Sequence, residues 1–326
     1  MGRHVAGEAP ELDAMVDEAL RGIGAEIDAL RVPRLKGVVL GGGYGRGEGG
    51  AFALPDGTLR LSNDLDFYVV ADDGTDAAGI AAIGRALAPV SEKWSKRLGV
   101  DADFCVAKTP WRLKHDEARI MVQELVRGYF DVAGEKGERL FAGVERRAPE
   151  AIPWSEAARQ LMNRGMGLLL AEEAANCGKN AAAQNGEFVV RNLNKCILGA
   201  GDARLVARHA YRWKAPERAE ALGDSLYREA VEWKFRPRSE AVCDFETARS
   251  AWLSAAEEVF EAGRRVGTLG RSLREGARWV VRRHTLGDLG SFGEDCTVRV
   301  LRRVHRHIRS RIPLNASLKR DWEVFN

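Results

Sequence analysis

Two aspartates one residue apart stand before an apolar run in the segment NDLDFYVV, residues 63–70. If this run is a β-strand, Asp64 and Asp66 point to the same face, because side chains alternate along a strand. Two neighbouring carboxylates repel each other, and each raises the pKa of the other unless a cation lies nearby. Mg²⁺ prefers carboxylate and phosphate oxygens. The pair therefore predicts a site for Mg²⁺ or Mn²⁺.

A third carboxylate usually completes such a metal site from a neighbouring strand. The segment GVDADFCV, residues 99–106, offers Asp101 and Asp103, which would share one strand face. We favour Asp103, because the apolar residues 104–106 continue the strand behind it. Paired metal ions stabilise both the attacking and the leaving oxygen in phosphoryl or nucleotidyl transfer. The acidic residues therefore indicate phosphate chemistry.

A glycine-rich stretch, GGGYGRGEGG at residues 41–50, follows the β-branched run KGVVL. Glycines at the end of a strand let backbone N–H groups approach a phosphate closely, and a following helix N-terminus adds positive potential. We expect Arg46 to lie along the phosphates or on the acidic face. The segment also matches G-x-G-x-x-G, the dinucleotide-binding pattern. That alternative is disfavoured because Pro55-Asp56-Gly57 interrupts any long helix after the glycines.

The elements that must position these residues can be predicted from periodicity and turn signals. In the first half, apolar spacing predicts helices over 11–31 and 76–98, a short helix over 44–50, strands over 36–40, 65–70 and 99–106, and a hairpin over 51–61. After Pro110 the strand signals vanish, apart from possible short pieces. Helical patterns then cover 154–176, 188–213, 239–266, 273–284 and 296–311. We predict an α+β domain over residues 1–150, followed by an all-helical domain over 151–326.

These residues resemble the DNA polymerase β-like nucleotidyltransferase superfamily. Its signature is a Gly-Gly or Gly-Ser turn, then Asp-x-Asp on a strand, then a third acid on the next strand. Here the matching segments are residues 42–48, residues 63–67 and residues 102–104. The resemblance covers about residues 36–106. It implies a small mixed-sheet domain with flanking helices, and it agrees with a helical domain after it.

The resemblance also implies roles for individual residues. Asp64 and Asp66 would be metal ligands, and Asp103 a third ligand that also activates an acceptor hydroxyl. The turn residues Gly42, Gly43, Tyr44 and Arg46 would contact the nucleotide. Two departures stand out: many members have Ser where this chain has Gly43, and the connection from Gly43 to Asp64 is longer than usual.

Charge differs between the two halves of the chain. Residues 1–150 hold 20 Lys and Arg against 25 Asp and Glu, a net of −5, whereas residues 151–326 hold 30 against 22, a net of +8. Arg191 and Lys195 lie four residues apart and would share a helix face. In the superfamily a basic residue of the helical domain often reaches the triphosphate, so these two are expected nucleotide ligands. A solvated basic face is an equally good explanation for either one alone.

The densest charge lies in the segment VRVLRRVHRHIRSRIP near the end of the chain. Arginines recur beside an apolar stripe of Val298, Leu301, Val304 and Ile308; they are Arg299, Arg302, Arg303, Arg306 and Arg309. Such a helix could contact RNA or DNA phosphates, close over a negative active site, or end in solvent with help from the helix dipole. RNA is therefore a possible partner.

Composition limits the class of protein. No apolar stretch approaches the roughly 20 residues of a membrane span, and the start of the chain has no secretory h-region. The five cysteines form no C-x-x-C pair, which favours reduced thiols and a cytoplasmic protein.

We therefore expect a Mg²⁺-dependent nucleotidyltransferase that moves an NMP from an NTP, with ATP the expected donor, to an acceptor hydroxyl. A small-molecule acceptor is slightly favoured over a tRNA or other RNA 3′ end, and a protein hydroxyl follows. The non-enzyme alternative is an inactive nucleotide-binding regulatory protein.

Overall fold

The computed structural model describes residues 2–176, 179–265 and 294–325. The chain divides into two compact units: Met1–Arg147 together with Lys234–Arg238, and Ala148–Trp233 together with Ser239–Asn326. Within the described residues, no helix combines the length and apolarity needed to cross a membrane. The class is mixed α/β, as expected, with a small mixed sheet and many helices.

The first unit is built on a four-stranded sheet and a separate hairpin. The sheet strands are β1 (Leu35–Leu40), β4 (Leu65–Ala71), β5 (Ala102–Phe104) and β6 (Phe130–Gly134), and the hairpin strands are β2 (Ala51–Ala53) and β3 (Leu59–Leu61). The order in the sheet is β5-β4-β1-β6. Strand β1 runs antiparallel to β4 and β6, whereas β4 and β5 are parallel.

Six helices of the first unit surround the sheet within its described residues. They are α1 (Pro10–Leu30), α2 (Gly42–Gly45), α3 (Ala77–Leu98), α4 (Pro110–His115), α5 (Ile120–Leu125) and α6 (Gly137–Leu140). Helix α3 begins where Asp76 accepts a hydrogen bond of 2.8 Å from the Gly79 N–H, and it ends at Gly99, whose φ of 70° is left-handed.

Alternation along β4 gives the sheet two different faces. Leu65, Phe67 and Val69 are buried in one cluster with apolar side chains of α1 and α3. Val70 is buried in a second cluster with side chains of α4, α5 and α6, and Tyr68 packs against that cluster. Because residues two apart share a face, Asp66 lies on the α4–α6 side, at the end of β4 where the strand begins.

One short strand follows Pro110: β6 pairs with β1, and its sequence FDVAG carries a charge and ends in glycine, so it lacks an apolar run. The structure corrects two other predictions for the first unit. The predicted helix over 44–50 is wrong, since α2 covers Gly42–Gly45 and the chain then turns at Gly47, with φ 70°. Strand β5 is shorter than predicted.

The second unit is helical where it is described. Its helices are α7 (Trp154–Asn176), α8 (Lys179–Ala207), α9 (Ala215–Leu222), α10 (Ser225–Phe235, whose last two residues belong to the first unit), α11 (Phe245–Arg265), α12 (Glu294–Arg309) and α13 (Ala316–Phe325). Helix α8 ends before the predicted 213, because His209 takes a left-handed φ of 54°. The sequence missed α9, α10 and α13. The predicted helix over 273–284 lies outside the described residues.

Candidate active site at the acidic edge of the sheet

The first unit places two of the predicted acids side by side. In the parallel pairing of β4 and β5, Asp66 lies opposite Asp103 and Phe67 lies opposite Phe104. The Phe67 and Phe104 rings stack on the apolar side, with centroids 4.7 Å apart. Since side chains alternate, Asp66 and Asp103 both point to the other face.

The charges of Asp64 and Asp101 act on Asp103, so these two acids lie near the same edge of the sheet. Burial raises the pKa of the Asp103 carboxyl, and the charges of Asp64 and Asp101 raise it further. The pKa of the Cys105 thiol rises to about 12, first by burial and then through the charges of Asp103 and Asp66. These acids therefore create a negative potential at the beginning of β4 and β5, and that potential favours a bound cation.

The glycine-rich turn packs directly against the second aspartate. The Gly41 N–H donates to the backbone oxygen of Asp66, at 2.9 Å. Gly42 has a left-handed φ of 61°, and a Cβ at this position would overlap the Asp66 carboxylate. Glycine is needed at this residue both for its φ and for this close approach.

The neighbouring glycine is under less constraint. A Cβ on Gly43 would have the backbone oxygen of Glu48 as its nearest neighbour, 3.3 Å away, and its φ is not left-handed. Its own backbone oxygen accepts from the Glu48 N–H at 2.8 Å. A serine, which many members of the resembled superfamily carry here, would need the Glu48 backbone to shift by only a few tenths of an ångström.

Tyr44 lies in the core of the turn. It is buried, and its hydroxyl donates to the backbone oxygen of Gly50 at 2.8 Å and accepts from the Ser62 N–H at 3.1 Å. Burial raises its pKa, partly offset by those backbone donors. Tyr44 thus ties the glycine-rich turn to the segment before Asp64. Contact with a nucleotide stays a prediction for this residue.

Arg46 lies between two carboxylates. Its guanidinium is 3.1 Å from Glu124 Oε2 and 3.6 Å from Glu48 Oε2, and Lys234 Nζ lies 2.9 Å from the same Glu48 oxygen. Burial raises the pKa of Tyr68, and the charges of Asp66, Glu124 and Arg46 act on it as well, so this network lies on the face of Asp66.

Sequence reasoning missed most of this network. Glu48 stands within the glycine-rich stretch and was a visible candidate, but Glu124 and Lys234 have no local signal, since they come from distant segments.

The N-terminal segment fixes the far side of the turn, which the sequence did not indicate. The Gly49 N–H donates to the His4 backbone oxygen at 3.0 Å, and the Ala6 N–H donates to the Gly49 oxygen at 2.8 Å. The Asp13 carboxylate accepts from the backbone N–H groups of Arg3, His4 and Val5. The turn is therefore held on both sides by backbone hydrogen bonds.

The other predicted nucleotide ligands belong to the second unit. Arg191 and Lys195 lie on α8, and both are half-buried. One turn away, Asn192 donates back to the Phe188 backbone oxygen at 2.9 Å. Nothing in the second unit tests their contact with a triphosphate, which stays a prediction.

Asp64 and Asp66 are the carboxylates that could hold a divalent metal. In the part of the chain that is described, no three Asp, Glu, His or Cys side chains lie close enough to form a ready metal cluster. Mg²⁺ does not require one, because it keeps several waters and is usually bound through one or two carboxylates plus substrate phosphates. Asp64 and Asp66 supply that number, and the potential at Asp103 favours a cation. The residues therefore fit Mg²⁺.

Comparison with protein-family models, curated proteins and solved structures found no significant match to this chain. A negative edge that adjoins a glycine turn, whose backbone can approach phosphate, suits a metal-bound polyphosphate.

Proposed function

We propose that the protein is a Mg²⁺-dependent nucleotidyltransferase, with a small mixed-sheet catalytic unit followed by a helical unit. It transfers an NMP from an NTP, with ATP the expected donor, to an acceptor hydroxyl and releases pyrophosphate. The observation that carries the proposal is the register of β4 and β5, which sets Asp66 beside Asp103 next to the Gly42 turn. Three separated sequence segments meet there in the first unit.

The three carboxylates would have different roles. Asp64 and Asp66 would hold the metal, and Mg²⁺ would supply charge stabilisation for the attacking and leaving oxygens. Asp103 would accept the proton of the acceptor hydroxyl, and its raised pKa suits that role, since a stronger base takes a proton more readily. The acceptor oxygen forms a bond to the α-phosphorus as the bond to the bridging oxygen breaks, and pyrophosphate leaves with that oxygen.

Backbone groups of the glycine turn would hold the phosphates. Gly42 and Gly43 begin α2, where the first backbone N–H groups of a helix have no partner within the helix. Arg46 is already shared by Glu48 and Glu124, so its role is to position the turn as much as to bind phosphate. Arg191 and Lys195 remain proposed ligands of the triphosphate from the helical unit.

The test is transfer of label from each α-³²P NTP, with Mg²⁺ or Mn²⁺, into total RNA, whole-cell protein and small metabolites offered together. We expect label in one fraction, lost in the Asp64→Ala/Asp66→Ala variant. The matched control is Asp72→Ala/Asp73→Ala, which removes the same charge from two exposed residues after the other end of β4. Equal transfer by all three proteins would refute the assignment of the metal ligands.

A second candidate is an inactive nucleotide-binding regulatory protein. The observation that favours it is Gly43, which stands where many members of the resembled superfamily carry a serine that touches the phosphate. It predicts measurable NTP binding with no label in any fraction. Equilibrium dialysis with the labelled NTP, run on the same samples, separates this outcome from a protein that does not bind nucleotide.

A further inference from the structure

Helix α12 has two chemically different faces. Val298, Leu301, Val304 and Ile308 are buried, so the apolar stripe packs inside the second unit. The opposite face carries exposed arginines at spacings of three and four residues, which place them on one side of the helix; they are Arg299, Arg302, Arg306 and Arg309.

Three of these arginines are not used by the fold. Arg302, Arg306 and Arg309 make no hydrogen bond or ion pair through their side chains with any other described residue. Their neighbours differ: Arg303 pairs with the buried Asp321, and Arg311 lies 2.6 Å from Glu246. The fold has thus supplied acids for adjacent arginines while leaving this row, Arg302-Arg306-Arg309, to solvent.

The row is a compact line of positive charge. From Arg302 to Arg309 the helix rises by about 10 Å, at about 1.5 Å per residue, which is the scale of successive phosphates on one nucleic-acid strand.

We propose that the arginine row of α12 binds the phosphate backbone of a structured RNA. A membrane is a poorer fit, because an interfacial helix inserts its apolar face, and here that face is buried in the unit. Single strands are usually bound with aromatic stacking, and no aromatic residue lies between Arg302 and Arg309 except His305 and His307, of which His307 is buried. Backbone contact with a double helix remains. Duplex DNA is the competing double helix, and the test compares it with the RNA hairpin.

This inference rests on the proposed function in one respect: among the possible acceptors it favours the hydroxyl of an RNA. It is tested without turnover. A fluorescent RNA hairpin is titrated with protein in EDTA without NTP, and anisotropy is followed at several salt concentrations. Three phosphate contacts give a slope of log K against log salt of about −2.7, or about a 40-fold loss of affinity between 50 and 200 mM salt.

The decisive variant is Arg302→Gln/Arg306→Gln/Arg309→Gln. We expect it to reduce the magnitude of that slope by nearly 3 and to remove most of the affinity. The matched control is Arg85→Gln/Lys214→Gln/Arg228→Gln, which removes three exposed cations from separate elements and should bind nearly as the wild type does. The variant Arg302→Lys/Arg306→Lys/Arg309→Lys should retain the slope of log K against log salt, since it retains the three positive charges.

Several outcomes would overturn the proposal. One is an equal loss in the row variant and in the scattered control, which would indicate net charge alone. Another is tighter binding to phosphatidylserine vesicles, to single-stranded RNA or to duplex DNA than to the hairpin. The Asp64→Ala/Asp66→Ala variant should bind the hairpin normally, so failure of nucleotidyl transfer and failure of RNA binding are separate results.

Discussion

Two aspartates of the first unit have opposite surroundings. The Asp116 carboxylate is only 2% exposed, and three cations approach it: Lys108 Nζ at 3.2 Å, Arg112 Nε at 3.3 Å and Arg119 Nε at 3.8 Å. Burial acts to raise its pKa, but the three cations outweigh burial and lower it. The pKa of Asp103 is raised, by burial and then by Asp64 and Asp101.

The difference separates a carboxylate that serves the fold from one that, in the proposed function, would act on a ligand. Asp116 has its counter-charges built into the chain, so its charge stabilises the folded state. The charges that act on Asp103 are those of other acids, so a cation that arrives with substrate would relieve the repulsion. The two residues should therefore respond to mutation in opposite ways.

The largest expected effect is on activity. Asp103→Asn should reduce the rate of nucleotidyl transfer by about 10²- to 10⁴-fold, the usual contribution of a general base. The free energy of unfolding of the first unit should stay the same or rise, because one of several like charges is removed. Initial rates of label transfer and urea unfolding, measured on one preparation, check both expectations.

Asp101→Asn is the matched control, since Asp101 stands two residues earlier and also faces solvent. Its transfer rate should remain within about tenfold of wild type, far less than the loss expected of a general base. A larger loss in Asp101→Asn than in Asp103→Asn would make Asp101 the third acid, an alternative that the sequence left open.

The next largest effect is on stability. Asp116→Asn should destabilise the first unit by about 3 kcal/mol, because it leaves three partly buried cations without their acid. Urea unfolding at neutral pH measures this loss. If the variant were as stable as wild type, the contrast between the two aspartates would not hold.

The two aspartates should also make stability depend on pH in opposite directions. The folded-state pKa of Asp116 lies below its ordinary value of 3.8, so its stabilisation is present above that pH and is lost as pH falls through the lowered pKa. The folded-state pKa of Asp103 is raised, so stability falls as pH rises from 3.8 through the raised pKa. The free energy of unfolding of wild type minus that of each asparagine variant, measured from pH 3 to 7, should show the two trends.

The glycine turn gives a smaller, local test. Gly42→Ala should cost about 2 kcal/mol, because the residue is left-handed and a Cβ would displace the Asp66 carboxylate. Gly43→Ala should change stability by about 0.5 kcal/mol or less. Thermal unfolding of the pair measures the difference, and equal costs at both positions would contradict the role given to Gly42.

Gly43→Ser extends this test to ligand binding. If the added hydroxyl reaches a phosphate, as the resemblance implies, the dissociation constant of the NTP should fall by about tenfold or more, since a hydrogen bond to a charged group contributes about 1.5–3 kcal/mol. Equilibrium dialysis with labelled ATP measures it. An unchanged constant would place the phosphates away from Gly43.

Local signals were enough to predict β1, β4, the hairpin, α1 and α3, because each has strong apolar periodicity or a Pro-Asp-Gly turn between its ends. They also brought out Asp64, Asp66 and Asp103 as a set. The structure adds the register that sets Asp66 beside Asp103, which depends on long-range strand pairing.

Other features had no local signal. Strand β6 lacks an apolar run, and it is defined by its pairing with β1. Lys234 reaches Glu48 across 186 residues of chain. The cation shell of Asp116 is a tertiary arrangement of common surface residues, so its sequence resembles that of a solvated helix. Such contacts are decided by packing, and periodicity does not report them.

The smallest expected effect concerns metal binding itself. At about three times its dissociation constant, Mg²⁺ should stabilise the first unit by about 0.8 kcal/mol, because it binds the folded state alone. The gain should persist in Asp116→Asn and disappear in Asp64→Asn/Asp66→Asn. Mn²⁺ binding followed by electron paramagnetic resonance gives the constant without any turnover. If Mg²⁺ still stabilised the Asp64→Asn/Asp66→Asn variant, the metal would bind elsewhere. The repulsion among the acids at this edge would then have to be offset by something other than a bound metal.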